Sequence, residues 1–169
     1  MNTPVLRIVV TDSNVLINLM HVSRLDLLRS LPGHEFVVPD HVREEITNPD
    51  QRAALDAAID AGTVKLESIT DLDALATFTE LIAHIGRGES ACIAIAAKRG
   101  WSIASDEKRR FRREAEARLG AERILGTVEL FVLAIEAGLI PVEQADADKH
   151  ALESRKFKVS FTSFREFVK

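Results

Sequence analysis

An α/β fold built on a mainly parallel sheet, with helices on both faces, is what this sequence predicts, and three observations predict it. Short β-branched or aliphatic runs recur at residues 5–10, 35–38, 64–69, 101–104 and 123–125. Segments with apolar residues at helical spacing separate them, and strands that alternate with helices pair in parallel. The first run, residues 5–10, is apolar except for Arg7 and hardly alternates, as in a strand covered on both faces.

The first strand stops at Asp12. Val15, Leu16, Leu19, Leu25, Leu27 and Leu28 follow at helical spacing that is interrupted at residues 21–24, which predicts two short helices. Pro32 and Gly33 then lead into the second strand, and Pro39 sits where a helix carrying Glu44 and Glu45 can begin. Asn48-Pro49 reads as a turn before an alanine-rich helix over residues 51–61. After the third strand, Asp71 is placed to cap a helix that runs to residue 85. Gly86-Arg87-Gly88 breaks that helix, and a strongly apolar one follows over residues 89–98 until Gly100. Residues 107–119 read as a charged helix, 128–137 as another, and 142–169 as two more joined near Phe157, a helical extension packed on the same domain.

A chain of 169 residues, 46% of them hydrophobic, can bury one sizeable core and is short for two, so residues 1–169 are read as a single domain. The formal net charge of −4 excludes a uniformly basic surface, so a nucleic-acid partner has to meet a local patch. The one cysteine, Cys92, has no internal partner for a disulfide, and no secretory-type apolar region opens the chain; a reducing cytoplasm is expected. Charged residues interrupt every apolar run well short of the roughly 20 residues that span a bilayer, so no membrane association is expected.

Ligands of open α/β sheets bind beyond the carboxyl ends of the strands. Asp12 and Asp106 both follow strands. Each could simply cap the helix that comes next, or each could serve a site. Glu89 is more telling, because Cys92, Ile93 and Ala96 lie three, four and seven residues beyond it and share its helical face. A carboxylate aimed at a buried face is costly unless it is hydrogen-bonded, paired or bound to a metal. Glu45 lies three residues after Val42 on the apolar face, whereas Glu44 points away, so Glu45 is chosen as the inward acid of that pair. Several carboxylates at one mouth repel one another, and a hard divalent cation such as Mg²⁺ offsets that repulsion. Such a cation polarises a phosphoryl oxygen and acidifies bound water, which suits phosphodiester hydrolysis.

Positive charge accompanies the acids. Residues 107–118 hold Lys108, Arg109, Arg110, Arg112, Arg113 and Arg118 against three glutamates. The strip could hold phosphates, with Arg87 as a smaller candidate, or it could be a solvated face with the pairs Arg110–Glu114 and Arg112–Glu116. Other chemistries find less support. Gly88-Glu89-Ser90-Ala91-Cys92 fails the serine-nucleophile pattern at its last position, no phosphate-binding glycine loop occurs, and the five histidines lack metal-ligand spacing. A phosphatase of the haloacid-dehalogenase kind, with Asp12 as nucleophile, would want an aspartate where Asn14 stands.

Taken together, Thr11-Asp12-Ser13-Asn14-Val15-Leu16-Ile17 after a first strand, Val42-Arg43-Glu44-Glu45-Ile46, Gly88-Glu89-Ser90-Ala91 opening an apolar helix and Ser105-Asp106 after a strand resemble the PIN-domain family. The nearest likeness is to prokaryotic PIN proteins of the VapC-like toxin type, and Ile124-Leu125-Gly126-Thr127 and Phe157-Lys158-Val159-Ser160 look like features of one branch. The resemblance implies a three-layer sandwich and a ribonuclease using Mg²⁺ or Mn²⁺ that leaves a 5′-phosphate and a 3′-hydroxyl. It further implies an acidic site of Asp12, Glu45, Glu89 and Asp106, with the metal on Asp12, Glu89 and Asp106 and with Thr127 at its rim. A small antitoxin would be the partner, and a homodimer stays open. The chain departs from the branch at Ser105, where an acid is common, and at Thr127, near which many members have another; Glu107 and Glu129 are the acids at hand. The rival reading is a non-catalytic PIN-like module that binds RNA or protein.

Overall fold

The computed structural model describes residues 5–169. Its elements run β1 (Arg7–Thr11), α1 (Ser13–His21), α2 (Leu27–Ser30), β2 (His34–Pro39), α3 (Asp40–Glu45), α4 (Pro49–Asp60) and β3 (Lys65–Glu67). There follow α5 (Leu72–Leu81), α6 (Arg87–Arg99), β4 (Ser102–Ala104), α7 (Arg109–Leu119), β5 (Ile124–Leu125), α8 (Thr127–Glu136) and α9 (Val142–Glu153). The strands form one sheet in the order β3-β2-β1-β4-β5, and every pairing is parallel. The parallel α/β sandwich that the sequence predicts is therefore the fold.

The order of strands decides where a site can form. From β1 the chain steps outward to β2 and β3, then returns to the other side of β1 for β4 and β5. The switch point lies between β1 and β4, and the loops that leave their carboxyl ends diverge to open a crevice. Thr11 pairs with Ala104, and the Asp12 N–H extends the ladder to the Ala104 carbonyl at 2.9 Å. Asp12 and Ser105 thus leave the sheet side by side.

Packing on both faces explains the unbroken apolar strands. Val9, Val10, Ile103 and Ala104 have no exposed surface. α6 lies on β1, β2 and β4 and also touches α3, α5 and α7, which is why residues Ser90 to Ala96 are buried all round. Local signals start and end the helices, though α5 stops at Leu81 and not at residue 85, and Pro49 opens α4 where the sequence suggests a turn. The Asp71 side chain accepts the Ala74 N–H, Asn48 accepts from Asp50 and Gln51 ahead of Pro49, and Gly100 closes α6 with φ of +69°.

Two further expectations are corrected. The second C-terminal helix is absent: after α9 the chain runs irregularly to a single 3-10 turn at Phe164–Glu166. Phe157, Val159 and Phe161 alternate with polar residues at a period of two, which suits an extended path along the core and not a helix. Asp146 fixes the end of that path by accepting from the Ser163 hydroxyl and the Phe164 N–H, and Asp148 pairs with Arg24 at 2.6 Å. The charged helix also starts at Arg109 and not at residue 107, so Glu107 belongs to the loop beside Asp106. Among the described residues no helix is long and apolar enough to cross a membrane.

Candidate functional site

Asp12 is only 1% exposed. Its side chain accepts the Ser13 N–H at 2.8 Å, so it does cap α1, and it accepts the Ser105 hydroxyl at 3.0 Å. Capping and a place in the site are therefore compatible. Burial pushes its carboxyl up to about 6; the two hydrogen bonds oppose the rise, while Glu45 and Glu107 add to it.

Glu45 reaches the same mouth from α3. Its carboxylate accepts the Gly88 N–H, in the first turn of α6, at 2.7 Å. A side chain at Gly88 would put a Cβ 2.3 Å from the Glu45 Oε2, so glycine is what lets the acid approach the helix end. Glu44, exposed like Glu45, has no hydrogen-bond or ion-pair partner among the described residues. One residue after Gly88, Glu89 has its carboxyl raised to about 7, first by burial and then by Asp12, Glu107 and Glu45, against one backbone hydrogen bond from Gly86.

Asp106 faces different neighbours. It accepts the Thr127 N–H at 2.8 Å, the Thr127 hydroxyl and the Asn18 amide at 3.0 Å. It caps the start of α8, which follows the adjacent strand β5, and leaves α7 uncapped. Burial still raises its carboxyl, those three donors hold the rise back, and Glu129 adds to it. A Cβ at Gly126 would stand 2.7 Å from the Asp106 Oδ1. Asn14 joins the two halves: its Oδ1 accepts the Asp106 N–H at 3.0 Å, and its Nδ2 lies 3.4 Å from Asp12 and 3.3 Å from Glu107.

The structure thus gathers Asp12, Glu45, Glu89 and Glu107 into mutual repulsion and sets Asp106 at the edge of the group, bonded to Thr127 and Asn18. Among the described residues no three of His, Cys, Asp and Glu converge into a ready-made metal cage. The donor set nevertheless fits a hard cation: it consists of carboxylate, hydroxyl and amide oxygens, and its net negative charge is uncompensated by any nearby Lys or Arg hydrogen bond. Asn14, Asn18 and Ser105 are participants that the sequence reading did not assign to the site. Their signal is the i, i+4 spacing of two asparagines on α1, whose other face buries Val15, Leu16 and Leu19.

The basic candidates divide. Arg87 lies over the Phe78 ring at 5.4 Å, and Arg112 pairs with Glu116 at 2.6 Å. The expected Arg110–Glu114 pair does not form, because Arg118 takes Glu114 and Arg110 points back to the His84 carbonyl. Arg109 and Arg113 are exposed, with no carboxylate in ion-pair reach among the described residues.

No curated protein sequence matches the chain. A family model described as a PIN domain matches residues 8–169. PIN domains are generally nucleases and typically use divalent metal ions. Because that match runs from β1 through the crevice to the last residue of the C-terminal tail, the chain belongs to the PIN-domain family.

Proposed function

We propose that this PIN protein is a metal-dependent ribonuclease of the cytoplasm and the toxin of a toxin–antitoxin pair, held by a small antitoxin and able to form a homodimer. The observation that carries the nuclease reading is the cluster of Asp12, Glu45, Glu89 and Glu107 at the switch point of the sheet, where burial first and then the neighbouring like charges raise the Asp12 and Glu89 carboxyls. The toxin reading is supported by the resemblance of residues 11–17, 88–91 and 105–106 to VapC-like proteins.

Asp12, Glu89 and Asp106, with Glu45 and Glu107 beside them, would hold Mg²⁺ or Mn²⁺. Such an ion supplies Lewis-acid polarisation of a phosphoryl oxygen and lowers the pKa of water. The chain's own residues prepare the site. Ser13 and Ser105 fix the Asp12 carboxylate, Thr127 and Asn18 fix that of Asp106, and Asn14 keeps the two loops in register. The Gly88 N–H in the first turn of α6 holds Glu45 where a substrate phosphate would arrive.

The test is hydrolysis of a labelled RNA with Mg²⁺ or Mn²⁺, with and without chelator, for wild type and Glu89→Gln. Cleavage should require the ion and should slow by about 100-fold or more in the variant, because a neutral amide is a poorer hard-cation ligand. Undiminished cleavage in chelator, or by Glu89→Gln, would sink the mechanism. Tight RNA binding without cleavage would favour a non-catalytic module.

A further inference from the structure

Beside the acids the chain has built a second feature, a groove of about 930 Å³ that opens next to Ser105, Asp106 and Glu107. Its remaining walls come from the start of α7, the start of α8 and the C-terminal tail. We propose that this groove is the track of a single RNA strand, whose phosphates meet Lys108, Lys156 and Lys158 and whose bases lie on Phe157, Phe161 and Phe167. The inference rests on the ribonuclease reading and adds the path of the strand along the C-terminal tail.

Three observations support it. The first is charge: Lys108, Lys156 and Lys158 are exposed, and the lysines that do find carboxylates are others, Lys65, Lys98 and Lys149. Ammonium groups with no carboxylate in ion-pair reach among the described residues, along a groove that ends in acids, suit an anion that must pass by a metal site. The second is the aromatic wall. Phe167 is 48% exposed, and Phe161 is held edge-on between Phe164 and Phe167, with ring centroids 5.1 and 4.8 Å apart. Lys149 lies over the Phe161 ring at 5.5 Å, so the exposed Phe167 offers the freest ring to unpaired bases, and every base has a face to stack. A duplex hides those faces between its own pairs, so the groove selects a single strand. The third is the backbone of Lys156. Its φ is +69°, a left-handed conformation that glycine usually supplies after a helix, and it turns the chain from α9 into the groove wall. Keeping a lysine there trades backbone ease for a cation at the groove.

The experiment measures binding of a labelled RNA of about 12 nucleotides, within the usual range of single-strand sites, against its duplex. Ca²⁺ replaces Mg²⁺ in the binding step, salt is varied, and cleavage of the same strand is followed separately with Mg²⁺ and Mn²⁺. Wild type should prefer the single strand. The variant with Lys108→Ala, Lys156→Ala and Lys158→Ala should show a salt slope shallower by about 2, at roughly 0.7 per phosphate contact. Phe167→Ala should weaken binding about tenfold with the slope unchanged, and Phe167→Trp should restore it. Equal affinity for duplex, or an unchanged slope in the lysine variant, would overturn the proposal and leave the groove to a protein partner. If wild type cleaves the RNA while the lysine variant binds it undiminished, the groove inference fails and the ribonuclease reading stands. If wild type binds through the groove yet cleaves with neither ion, the ribonuclease reading fails and the groove stands.

Discussion

Asp12 and Asp106 leave neighbouring strands at the same edge of the sheet, yet their surroundings are opposite in kind. Asp106 collects three donors, from the Thr127 N–H, the Thr127 hydroxyl and Asn18, and has Glu129 as its acidic neighbour. Asp12 collects two close donors and faces Glu45 and Glu107, and it contributes in turn to the raised carboxyl of Glu89. The Asp106 half is electrostatically settled, and the Asp12 half is not. A folded protein tolerates such an unsettled group where function repays it, so the Asp12 half is where a cation gains most by binding and the Asp106 half is what keeps the crevice in shape.

The sharpest break of this contrast is Asp12→Asn. Removal of one negative ligand should cut metal-dependent cleavage by about 100-fold or more, while the metal-free variant melts no lower than wild type, since burying an amide relieves the repulsion. Single-turnover cleavage and thermal unfolding in chelator check the two halves of the statement. Activity within tenfold of wild type would show that the settled acid, Asp106, matters more.

The pH dependence of stability sharpens it further. With its carboxyl raised from 3.8 to about 6 in the folded state, Asp12 binds protons more tightly there than when unfolded. Its contribution is fully present below about pH 4 and is lost as pH rises through about 6. In chelator, wild type measured against Asp12→Asn should therefore lose on the order of 2 kcal/mol between pH 4 and pH 8. Mg²⁺ at pH 8 should recover part of the loss. Urea unfolding across that range is the measurement, and a flat difference would mean that the Asp12 half is as settled as the other.

The smallest effect on cleavage is expected on the settled side. Thr127→Val keeps the shape and removes the hydroxyl donor from Asp106, which should cost about 1–3 kcal/mol of stability and about tenfold in cleavage. Thr127→Ser should restore both. A loss of activity as deep as that of Asp12→Asn, without the loss of stability, would erase the distinction between the two halves.

Much of this was legible in the sequence, and the reasons are local. The unalternating run ending at Asp12, the cap at Asp71 and the stop at Gly100 depend on residues within a turn of one another. Glu89 could be singled out because its helical neighbours Cys92, Ile93 and Ala96 had to be buried, and they are. The C-terminal tail misled because Phe157, Val159 and Phe161 also fit a partly apolar helix until their period of two is weighed. The ion pairs of α7 were half legible: Arg112 meets Glu116 as its spacing suggests, but Glu114 can be reached equally from Arg110 and Arg118, and only packing chooses.

By itself, then, the sequence determined the kind and order of the elements as far as α9 and the acids standing at their ends, because periodicity, caps and breakers act over a few residues. Only the tertiary structure decided which acids face one another. Glu45 finds Gly88 across 43 residues, and Asp106 finds Thr127 across 21. Glu107 joins the cluster because α7 begins two residues later than its composition suggests. These choices depend on how crossovers pack on a twisted sheet, where a glycine's missing Cβ or a threonine's hydroxyl settles which way a carboxylate turns.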